Sequence, residues 1–118
     1  MFLLGVPVVN VESTSYSTNV GNRVTLQCTV NANPPHTSVG WQRVLSNGNT
    51  QALDTTNSRY SGVTLGSPSL IINNAIKADE GKYVCIAANL VGSGQSQQTY
   101  LTVVGSKWLT HQLQVFST

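Results

Sequence analysis

The chain has 118 residues, one domain's worth, and only 8 % are charged, against about 25 % in an average globular protein. Its six basic residues (Arg23, Arg43, Arg59, Lys77, Lys82, Lys107) are scattered and the net charge is +2, so no basic stripe supports nucleic-acid or anionic-membrane binding. No apolar run reaches the ~18 residues that cross a bilayer, and Cys28, Cys85, His36 and His111 show no metal-ligand spacing, so neither membrane insertion nor a metal or other cofactor is expected.

The opening "MFLLGVP" is apolar but lacks the basic region of a signal peptide. We read residues 1–5 as an added leader or a signal-peptide remnant, 6–104 as one domain, and 105–118 as a tail or the stub of a following segment. Helical periodicity is nearly absent before the tail, and short alternating runs take its place. "RVTLQCTV" sets Val24, Leu26, Cys28 and Val30 on one face. "VGWQRV" does so with Val39 and Trp41, "SLII" with Leu70 and Ile72, "KYVCIAA" with Tyr83, Cys85 and Ala87, and "TYLTVV" with Leu101 and Val103. Each alternation fits a half-buried antiparallel strand.

The breakers fall between the runs. "NANPPHT" carries two prolines that a central strand excludes, "SNGNT" holds the hairpin dipeptide Asn47-Gly48, and "NLVGSGQS" supplies Gly92 and Gly94 for another tight connection. Such spacing predicts a β-sandwich or barrel. There is no N-x-[ST] sequon, so N-glycosylation is not expected. Two distant cysteines in a chain rich in hydroxyls and amides point to one disulfide and an oxidising compartment. Two buried thiols in a cytosolic domain are the alternative.

The inward residues form a constellation. Trp41 follows Cys28 by thirteen positions and Cys85 follows it by fifty-seven; Tyr83 precedes Cys85 by two and Asp79 by six. From about Val8 to Val104 the string "VTLQC … W … RYSG … SLII … DEGKYVC … YLTVV" resembles the immunoglobulin superfamily, the intermediate set first and a shortened variable-like domain second. The resemblance implies an all-β, Greek-key immunoglobulin-like sandwich with one inter-sheet disulfide, Cys28 to Cys85, between the strands lettered B and F. It also implies Trp41 packed on that disulfide, Leu70 in the core, Tyr83 bonding back to the backbone upstream, and Gly81 easing the turn. Asp79 needs a cation, which the resemblance assigns to Arg59, with Arg43 second. Strand C′ is expected near Gln51–Asp54, with a brief D and no long C″.

Function is then expected on the surface. Asp79 belongs to the fold and neither histidine has a triad's neighbours, so no catalytic residue is expected and the chain is read as a non-enzyme. Cys28 and Cys85 face inward and are read as structural rather than redox-active. On the outer face of strands C, F and G, alternation places Gln42, Val44, Val84, Ile86, Ala88, Tyr100 and Thr102 outward. A solvated face should be polar. The stripe reads as a contact surface, or as plain β-propensity. The loops are read first as turns, and His36 as an exposed loop histidine. In the tail, Trp108, Leu109, Gln112, Leu113 and Phe116 fall at helical spacing and suit docking or strand exchange. The reading is an extracellular recognition module for other proteins, in adhesion or innate immunity, self-association through the C-F-G face included. No small-molecule ligand is expected. The alternative is a structural spacer in a tandem array, extracellular or muscle-type intracellular.

Overall fold

The computed structural model describes residues 4–105; residues 1–3 and 106–118, and with them Lys107 and the tail's Trp108 to Phe116, lie outside the described residues. In chain order the strands are β1 (Val8–Val11), β2 (Ser15–Asn19), β3 (Val24–Leu26), β4 (Cys28–Asn31), β5 (Ser38–Val44), β6 (Thr50–Ala52), β7 (Tyr60–Gly62), β8 (Leu70–Ile72), β9 (Gly81–Ala88), β10 (Ser93–Gln95) and β11 (Thr99–Val104). A 3₁₀ turn over Lys77–Asp79 leads into β9.

One layer runs β2-β11-β9-β5-β6, with β10 pairing the far end of β9; the other combines β1-β4 with β3-β8-β7. The expected sandwich is borne out. Its core is the set of inward residues: Leu26, Trp41, Leu70, Ile72, Tyr83, Cys85, Ala87, Leu101 and Val103 are all buried in one cluster. Alternation produced this because each strand buries every second side chain against the facing sheet. Strand C′ is β6, antiparallel to β5 from Val44↔Thr50 to Gln42↔Ala52, closed by the Asn47-Gly48 turn with Gly48 at φ +87°. The brief strand D is β7.

Two local features depart from the alternation reading. "RVTLQCTV", expected as one strand, breaks at Gln27 into β3 and β4. Side chains take the place of ladder partners there: the Gln27 N–H donates to the Tyr16 hydroxyl (3.1 Å) and the Cys28 N–H to the Ser69 hydroxyl (3.0 Å). The N-terminal segment also changes sheet. β1 is antiparallel to β4, whereas β2 runs parallel to β11 from Ser15↔Tyr100 to Asn19↔Val104. The crossing at Ser13–Thr14 is tied down by Thr99 Oγ1, which donates to the Ser13 carbonyl (2.9 Å), and by the Tyr100 N–H, which donates to Thr14 (2.9 Å).

Candidate functional site

The stretch from Lys77 to Cys85 is a hydrogen-bonded corner. Asp79 is 3 % exposed and accepts a two-pronged contact from Arg59, Nη1 to Oδ1 at 3.0 Å and Nη2 to Oδ2 at 2.7 Å. Its Oδ2 also accepts the Ile76 N–H (2.9 Å), closing the 3₁₀ turn. The paired carboxylate holds the Arg59 guanidinium above its ordinary pKa, against a smaller desolvation effect. Arg59 Nη2 reaches the Asn74 carbonyl as well (3.2 Å). Arg43 takes a different place: it donates to the Ala78 and Glu80 carbonyls (2.7 Å each) and lies over the Tyr83 ring. The Tyr83 hydroxyl donates to the Asp79 carbonyl, and burial pushes its pKa well above the usual phenol value. A Cβ on Gly81 would stand 2.7 Å from Arg43 Nη2, so glycine here makes room for the guanidinium.

Two further side chains bind the corner to β11. Glu80 Oε1 accepts the Val103 N–H (2.9 Å) and the Lys77 ammonium (3.0 Å), while Lys77 also donates to the Val103 carbonyl (2.7 Å). The Val103 bond first, and Lys77 second, hold the Glu80 carboxyl below its ordinary pKa. Behind the corner, Cys28 and Cys85 are joined in a disulfide, and Trp41 stands opposite Cys85 in the β5-β9 register. Trp41 Nε1 donates to the Pro68 carbonyl (2.8 Å). The Ser96 hydroxyl accepts the Cys85 N–H (2.9 Å), as Ser69 does for Cys28. These residues bond to one another and fix the corner in place.

The outward face of β5, β9 and β11 is the surface that remains. Gln42, Val44 and Ile86 are half-buried and Tyr100 is exposed. Val84 requires a correction: alternation points it away from the core, yet it is 2 % exposed. β9 is flanked by β5 on one side and by β10 and β11 on the other, so the outward side chains of its neighbours cover this central position. Val84 therefore underlies the face rather than forming it. Lys82 is the one charged residue that the register places on this face in β5, β9 and β11. Val44, Lys82 and Tyr100 border an open depression with Leu45, Gln98, Arg43 and Glu80.

At one end of the sandwich the structure reveals a residue that sequence reasoning passed over. Asn89, 9 % exposed, uses its whole amide: Nδ2 donates to the Gly5 (2.8 Å) and Pro34 (2.9 Å) carbonyls, and Oδ1 accepts the Val91 (2.9 Å) and Gly92 (3.2 Å) N–H groups. His36 also differs from an exposed loop residue. It is half-buried, and its ring Nε2 donates to the Leu65 carbonyl (2.8 Å), joining the 32–37 and 63–69 loops.

A family model described as an immunoglobulin domain matches residues 6–89. The chain is 34 % identical over 113 residues to human insulin-like growth factor-binding protein-like 1, covering 86 % of this chain and 40 % of that protein. It is 33 % identical to a Caenorhabditis elegans tyrosine-protein phosphatase Lar-like protein, covering 85 % of this chain and 4 % of that one. With mouse Roundabout homolog 1 the identity is 31 %, covering 72 % and 5 %. The chain thus spans less than half of each of these relatives, and the phosphatase named in one of them belongs to that whole protein. Among solved structures, the tandem Ig repeats of Dlar superpose with a TM-score of 0.69 at 31 % identity, covering 86 % of this chain and 50 % of that one.

Proposed function

The chain belongs to the immunoglobulin domain family, and from that premise we propose that it is an extracellular recognition module whose outward β5-β9-β11 face binds other proteins, a second copy of itself among them. The disulfide supports an oxidising, extracellular setting. Similarity to Roundabout and Lar-like proteins supports a role in protein interaction.

The observation that carries the reading is the makeup of the face. Ile86, Val44 and Tyr100 surround a nearly uncharged centre, and interface cores are depleted of charge in the same way. With Lys82 the one charge at the outward positions of β5, β9 and β11, and Arg43 and Glu80 of opposite sign at the border, two copies of the face meet little repulsion. Sedimentation equilibrium tests self-association. The expected result is a concentration-dependent dimer that Ile86→Lys abolishes while the melting temperature holds within a few degrees. A strict monomer at about 1 mM removes the self-binding version, since even a weak Kd of that order would register. Binding to other proteins is tested with a photo-crosslinker at Gln42. Protein adducts are expected there. Adducts formed only from Thr29, exposed on the opposite sheet, would overturn the assignment of the face.

A further inference from the structure

The outward side of β11 carries an apolar path that begins where the strand ends. Tyr100, Thr102 and Val104 alternate onto that side; Tyr100 is 41 % exposed and Val104 50 %. Beside Tyr100 lies the depression that Val44, Leu45 and Gln98 border, and Leu45 is 39 % exposed. Depression and strand end are joined at their base, since Glu80 lines the one and accepts the Val103 N–H of the other (2.9 Å). On the far side of β11 the register sets Ser15, Ser17 and Asn19 beside Tyr100, Thr102 and Val104, and all three are polar and exposed. The apolar path from Val104 therefore leads one way, across β11 toward β5.

Gly105 bends the chain at the start of that path. Its φ of +81° lies in the left-handed region, out of line with the strand before it. A Cβ there would meet nothing within 4 Å, so the glycine serves the bend and not a close approach. The next eleven residues, "SKWLTHQLQVF" at 106–116, lie outside the described residues. In sequence they hold five large apolar side chains (Trp108, Leu109, Leu113, Val115 and Phe116) and Lys107 as their one Lys, Arg, Asp or Glu. Retracing β11 from Val104 to Tyr100 takes about 14 Å, at ~3.4 Å per residue. Eleven residues span about 17 Å at helical rise and about 36 Å extended, so the run is long enough in either form. Its charge suits the path as well. Lys107 comes four residues after Val103, whose N–H is bonded to Glu80, and the remainder brings no cation toward Lys82 and Arg43.

We propose that residues 106–116 turn back at Gly105 over the outward side of their own β11, with Trp108 and Leu113 covering Val104, Tyr100 and the depression at Leu45. Seated there, the run withholds that part of the face from other proteins. This consequence rests on the reading of the face as a binding surface; the seating does not.

The test places p-benzoylphenylalanine at Tyr100, one aromatic for another, in the full chain. Irradiation should join it to peptides from 106–116 of the same molecule, in a yield unchanged by tenfold dilution. Trp108→Ser with Leu113→Ser should cut that yield at least tenfold, since losing one buried large apolar side chain moves a docking equilibrium by about that factor. The same double variant should strengthen self-association, or raise the yield of protein adducts at Gln42, severalfold. Three results overturn the seating: no tail peptides among the Tyr100 adducts, equal capture of them from Thr29 on the opposite sheet, or mixed-isotope adducts when labelled and unlabelled chains are combined, which would make the occupant a second copy's tail. Binding that the double variant leaves unchanged removes the masking. Internal tail adducts in a chain that binds nothing, with or without the two substitutions, uphold the seating and remove the binding role of the face.

Discussion

Replacing either partner of the Arg59–Asp79 pair breaks the same two contacts but leaves different remainders. In Arg59→Ala a carboxylate with 4 % side-chain exposure keeps one donor, the Ile76 N–H. Removing the partner of a buried charge costs about 3–5 kcal/mol. In Asp79→Ala the guanidinium left behind is 33 % exposed and still reaches the Asn74 carbonyl, so water and that carbonyl satisfy it. Its cost is about 1–2 kcal/mol, part of it the lost Ile76 bond. The more exposed residue is thus the more expensive one to delete, by about 2 kcal/mol. In urea denaturation that gap separates the two midpoints by roughly 1 M when m is about 2 kcal/mol/M. Equal midpoints for the two variants, or a larger loss in Asp79→Ala, would refute the reasoning.

Asn89→Ala strands the Val91 and Gly92 N–H groups and the Gly5 and Pro34 carbonyls; a loss of about 2–3 kcal/mol is expected, with hydrogen-exchange protection falling first in the 89–92 loop. Gly94→Ala would put a Cβ 2.0 Å from the Pro7 carbonyl oxygen, so it should release β1 and lower the melting temperature by several degrees, whereas Gly66→Ala, with open space around it, should leave it unchanged. Glu80 has a depressed folded pKa, so its contribution is present above the ordinary glutamate range and is lost as pH falls through the depressed value. Glu80→Gln should flatten the acid limb of a stability–pH curve below about pH 4.3, and an unchanged limb would remove Glu80 from the account. Reducing the disulfide, which closes a 57-residue separation, should cost about 4 kcal/mol by chain entropy, read as a shift in the denaturation midpoint.

How much was legible depends on the distance over which each choice is made. Leu70, Ile72, Leu101 and Val103 could be assigned to the core because burial on one sheet face repeats every second residue. The break at Gln27 could not be read, since it depends on hydroxyls from Tyr16 and Ser69, eleven and forty-one residues from their partners. Asn89 looked like a turn residue because its two acceptors, Gly5 and Pro34, are 84 and 55 residues away. Val84 shows the limit of alternation, which gives the side of the sheet but not what the neighbouring strands cover. The polar interruption Glu12-Ser13-Thr14 between "VVNV" and "SYSTN" was the available sign that the first strand changes sheets.

The parallel pairing of β2 with β11 has a mechanical consequence. Pulled apart by its two ends, the domain loads the ladder from Ser15↔Tyr100 to Asn19↔Val104 along its length, so its bonds bear the load together instead of peeling open one after another. Should that ladder yield, the covalent link between Cys28 and Cys85 still keeps everything between them out of the extending thread. Only the flanks could pay out, which makes the module a short tether with a hard stop.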